Sequence, residues 1–261
     1  IADSGKLTVL IINSPSAYYY DRDDKLAGPE YEMSKAFAGY LGVEVEFRSY
    51  DSTRQVIDAL RRGEGTIAAA GLTVNASRSK EFDFGPVYQV LDEKLVCHRD
   101  MPAVSDATDL AGLEIRVSAQ SSYVETLKQY EGIEFVADTG RNTQWLLNAV
   151  ADKKLECTVS DTTLFSIERR YHTELDDKFT LSQGSELAWM INKGNPDLLA
   201  DINAWFAEYS EQQLPQMLER YYGYVEIFDY VDTHKFLRRV KQRLPEYQAW
   251  FIDAAEQHGI E

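Results

Sequence analysis

The sequence predicts an α/β protein built as two lobes. Residues 7–70 read as strand, helix, strand, helix, strand, and residues 113–168 repeat that alternation. The length agrees, since 261 residues are more than one small core needs and suit two.

Residues 7–12 are a continuous β-rich apolar run, the pattern of a buried parallel strand. Ser14-Pro15-Ser16 break it, and Tyr18, Tyr19 and Tyr20 follow before a polar turn. A row of tyrosines on a loop can lie over a ligand, and one or two of them can instead cap the core. Met33, Phe37, Tyr40 and Leu41 then fall at helical spacing, and Gly42 stops the helix at a typical C-terminal position. Val43, Val45 and Phe47 alternate with Glu44, Glu46 and Arg48, as in a strand with one wet face. Val56, Ile57 and Leu60 mark a second helix, ended by Gly63, and residues 66–70 form the next strand. Such a unit is parallel and right-handed. Its ligands bind at the carboxyl ends of the strands, where the tyrosine loop and the Gly71 loop emerge.

In the second half, strands are expected at 94–97, 113–117, 133–136, 155–159 and 186–191. Ser121 or Ser122 can cap the helix of Val124 and Leu127. Trp145, Leu146, Ala149 and Val150 form a helical stripe, and Leu164, Phe165 and Glu168 another. Pro196 can start a helix carrying Leu198, Leu199, Ile202, Trp205 and Phe206. A separate amphipathic run carries Leu214, Met217, Leu218 and Tyr221 to a cap at Gly223.

Composition narrows the function. A formal net charge of −16 argues against nucleic acid as a partner, because phosphates need a basic face. No apolar run reaches the roughly 18 residues that span a bilayer. The chain opens at Ile1, from which a removed leader or anchor is expected. Cys97 and Cys157 sit in strand-like apolar runs and read as buried free thiols, with a disulfide as the alternative. The four histidines are scattered, so no metal site and no cofactor are expected.

The chemistry concentrates in residues 66–86. A buried strand ends at Gly71, where something can approach the backbone closely, and Thr73 and Arg78 follow within a turn's reach. An arginine clamps a carboxylate through two parallel hydrogen bonds, so the guest is a small anion or an amino-acid-like carboxylate. A loop whose Arg78 makes only a surface ion pair is the competing reading.

Ala70-Gly71-Leu72-Thr73 followed by Arg78, Phe82 and Pro86 resembles the ligand signature of the bacterial periplasmic amino-acid-binding proteins, solute-binding family 3. The resemblance implies a periplasmic-binding-protein type II fold with two hinge strands, near residues 91–97 and 188–193. Lobe 1 would comprise 1–92 and 193–223, lobe 2 would comprise 93–192, and 224–261 would be a helical connector. Thr73 and Arg78 would hold a ligand α-carboxylate. Ser122, in the turn 118–122 that opens a helix, would assist them, with Gln120 standing where the family has glycine. Asp161 would receive the ligand ammonium and also cap its helix. Gly71 and Tyr18 complete the expected site.

The tail is more specific. Residues 220–225 (Arg-Tyr-Tyr-Gly-Tyr-Val), 228–233 (Phe-Asp-Tyr-Val-Asp-Thr) and 236–238 (Phe-Leu-Arg) resemble the segment joining two domains in the membrane-bound lytic murein transglycosylase F family. Ser14-Pro15, Tyr31-Glu32 and Asn75-Ala76 agree with it. That resemblance implies a ligand-sensing regulatory module of a peptidoglycan lytic transglycosylase, without the catalytic domain and not itself an enzyme. It would be a periplasmic monomer, attached to the outer membrane in the full protein. The partners would be an amino acid or muropeptide stem between the lobes and the C-terminal catalytic domain. The alternative is a free-standing amino-acid-binding protein of an ABC transporter. A third reading, a dehydratase using Glu30, Glu32 or Asp161 as acid/base, lacks a paired arrangement in the sequence. The apolar tail is expected to pack on the first lobe.

Overall fold

The computed structural model describes residues 5–21 and 23–223, and in the C-terminal part residues 243, 245, 247, 248, 250–254 and 257. Residues up to Gly223 form one unit and those from Tyr224 another.

In chain order the first unit runs β1 (Lys6–Ile12), β2 (Tyr19–Tyr20), β3 (Leu26–Ala27), α1 (Pro29–Leu41), β4 (Glu44–Tyr50), α2 (Thr53–Arg61), β5 (Ile67–Ala69), α3 (Ala76–Ser79) and β6 (Phe82–Phe84). It continues with β7 (Gln89–His98), β8 (Ile115–Ser118), α4 (Ser122–Leu127), β9 (Phe135–Asp138), α5 (Thr143–Ala151), β10 (Cys157–Asp161) and α6 (Thr162–Tyr171). The last elements are β11 (Leu175–Leu187), β12 (Met190–Asn192) and α7 (Pro196–Leu218), closed by a π-helical turn at Glu219–Gly223.

Two five-stranded sheets define two lobes: β4-β1-β5-β12-β6 and β11-β7-β10-β8-β9. In the first, β4, β1 and β5 are parallel, as the hydrophobic runs predict. Leu7, Val9 and Ile11 face a core with Met33, Phe37, Trp189, Trp205 and Phe206. Leu10 and Ala68 pack on the opposite side with Val56 and Leu60 of α2. Both faces are therefore dry, which is why β1 shows no polar alternation. Gly42 closes α1 with φ 68°. Ser52 caps α2 by accepting from the Gln55 N–H at 3.3 Å.

The chain crosses between sheets twice, after Phe84 through residues 85–88 and after Leu187 through Ala188 and Trp189. These crossings run side by side. Gly85 N–H donates to the Trp189 carbonyl at 2.9 Å, and Tyr88 N–H donates to the Leu187 carbonyl at 3.0 Å. They lie just before the lobe boundaries that the resemblance implied at 92/93 and 192/193.

Several expectations need correction. Cys97 and Cys157 are a disulfide, not free thiols. β10 and β7 are antiparallel with these residues directly opposite, at 4.3 Å between Cα atoms. The strand expected at 186–191 is two: Leu187 ends β11 and Met190 begins β12, one in each sheet. β11 itself carries register shifts, so its side chains lose the strict alternation that marks a strand in sequence. The two helical runs after Pro196 are one helix, with Pro215 inside it. Proline removes one backbone donor, but Leu214 and Met217 beside it are buried and hold the turn.

In the C-terminal unit the described residues are helical, with the Tyr247 and Trp250 rings edge-on at 5.7 Å. The tail packing on the first lobe expected for residues 224–261 falls mainly on residues outside the described ones.

Candidate functional site

The residues picked from the sequence converge on a cleft between the two sheets. β5 ends at Ala69, and Gly71 takes φ 60°, a left-handed conformation that suits glycine. A Cβ there would meet open space, so backbone conformation, not crowding, explains the residue. The Gly71 N–H is already engaged, donating to Glu30 Oε1 at 2.8 Å.

Asn75 caps α3 by accepting from the Arg78 N–H at 2.8 Å. This short turn sends the Arg78 side chain inward, where it is buried. Its guanidinium donates to the carbonyl oxygens of Thr73 at 2.7 Å and Gln120 at 2.8 Å. Burial pulls its pKa down to about 10, partly opposed by the Glu93 carboxylate, so it remains a cation at neutral pH. The surface ion pair is thereby excluded: Arg78 is buried and turned into the cleft.

From the other sheet, β8 ends at Ser118 and leads into the turn 119–121. Gln120 has φ 62°, a left-handed conformation that favours glycine. A side chain there costs roughly 1–2 kcal/mol. Ser121 is the N-cap residue of α4, and its hydroxyl turns back to donate to the Ser118 carbonyl at 2.6 Å. Ser122 accepts from Thr73 Oγ1 at 3.2 Å and donates to Glu93 Oε1 at 2.6 Å. Thr126 donates to the other oxygen of Glu93 at 2.5 Å. Glu93 is 1% exposed, and burial raises its pKa.

Asp161 ends β10. Its Oδ1 caps α6 by accepting from the Leu164 N–H at 2.8 Å, and its Oδ2 accepts from the Tyr123 hydroxyl at 3.2 Å. Burial raises its pKa. Capping uses one oxygen, and the other accepts from the Tyr123 hydroxyl at the cavity wall.

These groups line two adjoining cavities of about 80 and 50 Å³. Arg78, Thr73, Glu93 and Ser122 line the smaller. Glu30, Met33, Tyr88, Gln144 and Tyr222 line the larger, and Asp161 and Tyr123 line both. At about 10–15 Å³ for each ordered water, the pair holds several waters, the scale of a small ligand. The charged side chains of the larger cavity are carboxylates, Glu30 and Asp161.

Gly71, Thr73, Arg78, Ser122 and Asp161 are thus brought together. Tyr18 is not: its half-buried ring stacks on Phe47 at 5.8 Å and meets Tyr31 edge-on at 5.9 Å, against the first lobe's core. Ser14 and Ser16 of the same loop line the cavity instead. Glu93 and Tyr123 escaped the sequence reading: Glu93 sits in the charged run Asp92-Glu93-Lys94 of β7, and Tyr123 lies just past the 118–122 turn as an ordinary helix residue. Of the acid/base candidates, Glu32 bonds Tyr221 and Arg220.

Two kinds of similarity bear on this cleft. A membrane-bound lytic murein transglycosylase F 2 of Alkalilimnicola ehrlichii is 36% identical over 97% of this chain and 57% of its own length. A membrane-bound lytic murein transglycosylase F of Desulfosudis oleivorans is 32% identical over all of this chain and 58% of its own. The chain therefore spans somewhat more than half the length of these relatives, corresponding to their N-terminal, solute-binding part.

Among solved structures, an ancestral arginine-binding protein bound to arginine superposes with TM-score 0.74 at 22% identity, over 83% of this chain and 98% of that one. The amino acid ABC transporter substrate-binding protein AbpA of Streptococcus pneumoniae, bound to L-arginine, gives 0.75 at 21%, over 86% and 98%. At that identity the likeness establishes the two-lobed fold. Residues 7–224 match the pattern of one family, and the chain belongs to the bacterial extracellular solute-binding proteins, family 3.

Proposed function

We propose that the chain is the ligand-sensing module of a peptidoglycan lytic transglycosylase, closing on an amino acid or on a muropeptide stem with a free carboxylate. One observation carries the reading: Arg78 and Thr73 of the first lobe meet Gln120 and Ser122 of the second beside Asp161. A ligand carboxylate would displace backbone carbonyls from Arg78, exchanging neutral acceptors for a charged one. Its ammonium would meet Asp161, and its side chain would enter the larger cavity. Contacts made only in the closed arrangement would supply the switching energy.

Tyr222 and Leu218 line that larger cavity, and Tyr222 stands beside Gly223, where the connector begins. A ligand would therefore touch the last turn before the segment leading to a catalytic domain in the full protein. Attachment to a membrane in the full protein fits the relatives' name, and the periplasmic monomer at the outer membrane is part of this proposal. The transport alternative, a free-standing amino-acid-binding protein, is favoured by the fold's likeness to arginine-binding proteins. It predicts tight amino-acid binding and no role for residues 224–261. Calorimetric titration of the chain with amino acids and stem peptides tests both, and absence of heat from every probe would refute both.

A further inference from the structure

Glu30 is 2% exposed, at the N-terminal end of α1, where the helix dipole favours an anion. Its carboxylate gathers three donors from segments far apart in sequence. Gly71 N–H and the Tyr88 hydroxyl donate to Oε1, and the Trp189 indole N–H donates to Oε2 at 2.8 Å. Gly71 opens the loop that carries Thr73 and Arg78. Tyr88 ends the first crossing between the sheets, and Trp189 lies in the second. Both rings are buried, so neither donor can turn to solvent if the carboxylate is lost.

We propose that Glu30 is the positioning residue of the cleft: it sets the Gly71 loop against both lobe crossings, and the meeting of Thr73 with Ser122 depends on it. The physical ground is the donor set. Hydrogen bonds to an ionised acceptor are short and strong, and three of them on one carboxylate fix three backbone segments relative to each other. Thr73 follows Gly71 closely, so a shift of that loop moves the hydroxyl that reaches Ser122 at 3.2 Å. Gln at position 30 would keep the volume. It would present a donor to one of three donors and break one link.

The test needs no ligand. Thr73→Cys with Ser122→Cys places two thiols where the hydroxyls meet, and their rate of disulfide formation in a fixed glutathione buffer reads how often the lobes meet. Glu30→Gln should slow that rate at least tenfold and Tyr88→Phe at least threefold, at a temperature where both remain folded by circular dichroism. A merely structural role would lower the melting temperature and leave the rate alone. Rates within twofold of the parent in both folded variants would overturn the proposal. If Glu30→Gln does not fold, Tyr88→Phe, which deletes one hydroxyl, decides alone. A second arm rests on the cleft being a ligand site: L-glutamine titrated into Glu30→Gln without added cysteines should bind at least tenfold more weakly than to the parent. A parent that gives no heat with any amino acid or stem peptide would defeat the proposed function, while the cross-linking rates still decide the role of Glu30.

Discussion

The Arg78 guanidinium donates to the Gln120 carbonyl at 2.8 Å, so a buried cation of one lobe is held by a backbone oxygen of the other. A carbonyl is a weaker partner for a guanidinium than a carboxylate is. The charge is thus poised for a better acceptor, and the first prediction follows. Arg78→Ala should weaken amino-acid binding by about 2–5 kcal/mol, the usual cost of removing one partner of a desolvated charge pair. Calorimetry checks it. An affinity within about threefold of the parent, well under the ~1.4 kcal/mol of a tenfold change, would exclude Arg78 as the clamp.

The second prediction concerns ligand charge. With Glu30 and Asp161 as the charged side chains of the larger cavity, an acidic ligand side chain meets like charge. L-Glutamate should bind at least tenfold more weakly than its near-isostere L-glutamine. Equal titration curves would show that the side chain points elsewhere.

Stability should depend on pH in a defined direction. Burial raises the carboxyls of Glu30, Glu93, Asp161 and Glu168 above their ordinary range. A group raised on folding stabilises below its unfolded pKa, and that contribution is lost as pH climbs through the folded value. The melting temperature should therefore fall as pH rises from about 5, where free carboxylates are already ionised. The lowered carboxyls, such as Glu64 and Glu81, lose their contribution below that window and act in the opposite sense there. A thermal series in Glu30→Gln should show a shallower slope than the parent. An identical slope would mean that Glu30 does not take up a proton on folding.

Removing the disulfide should act locally. It closes a loop of 60 residues, worth about 4 kcal/mol in chain entropy. It ties β7 to β10 within the second sheet. In a Cys97→Ala, Cys157→Ala variant, hydrogen exchange should accelerate mainly in β7, β8 and β10, with β1 and β5 nearly unchanged. Uniform acceleration across both sheets would show that the lobes unfold together.

These 261 residues alone should release no anhydro-muropeptide from purified sacculi, because the matched span is a solute-binding one. Product detected by mass spectrometry would overturn that.

The sequence exposed the β-α-β-α-β order because buried strands such as Leu7–Ile11 are apolar on both faces, and it exposed the glycine stops at Gly42 and Gly63. Thr73, Arg78, Ser122 and Asp161 were legible because they sit at strand ends or in the short turns and helix starts that follow, and the family resemblance gave them roles. Glu93 and Tyr123 were not, because their partners come from elements 29 and 38 residues away. The disulfide depended on antiparallel register between strands 60 residues apart. Tyr18 was misplaced because adjacent tyrosines have the same chemistry, and only packing decides which ring turns inward.

Trp189 and Trp205 lie with rings 10° from parallel and 5.4 Å between centroids, both buried. Indoles at that spacing share their electronic transitions. The return crossing and α7 therefore share an intrinsic chromophore pair, distinct from the 39% exposed Trp145. Near-ultraviolet circular dichroism of the unlabelled chain would register any rotation of that crossing.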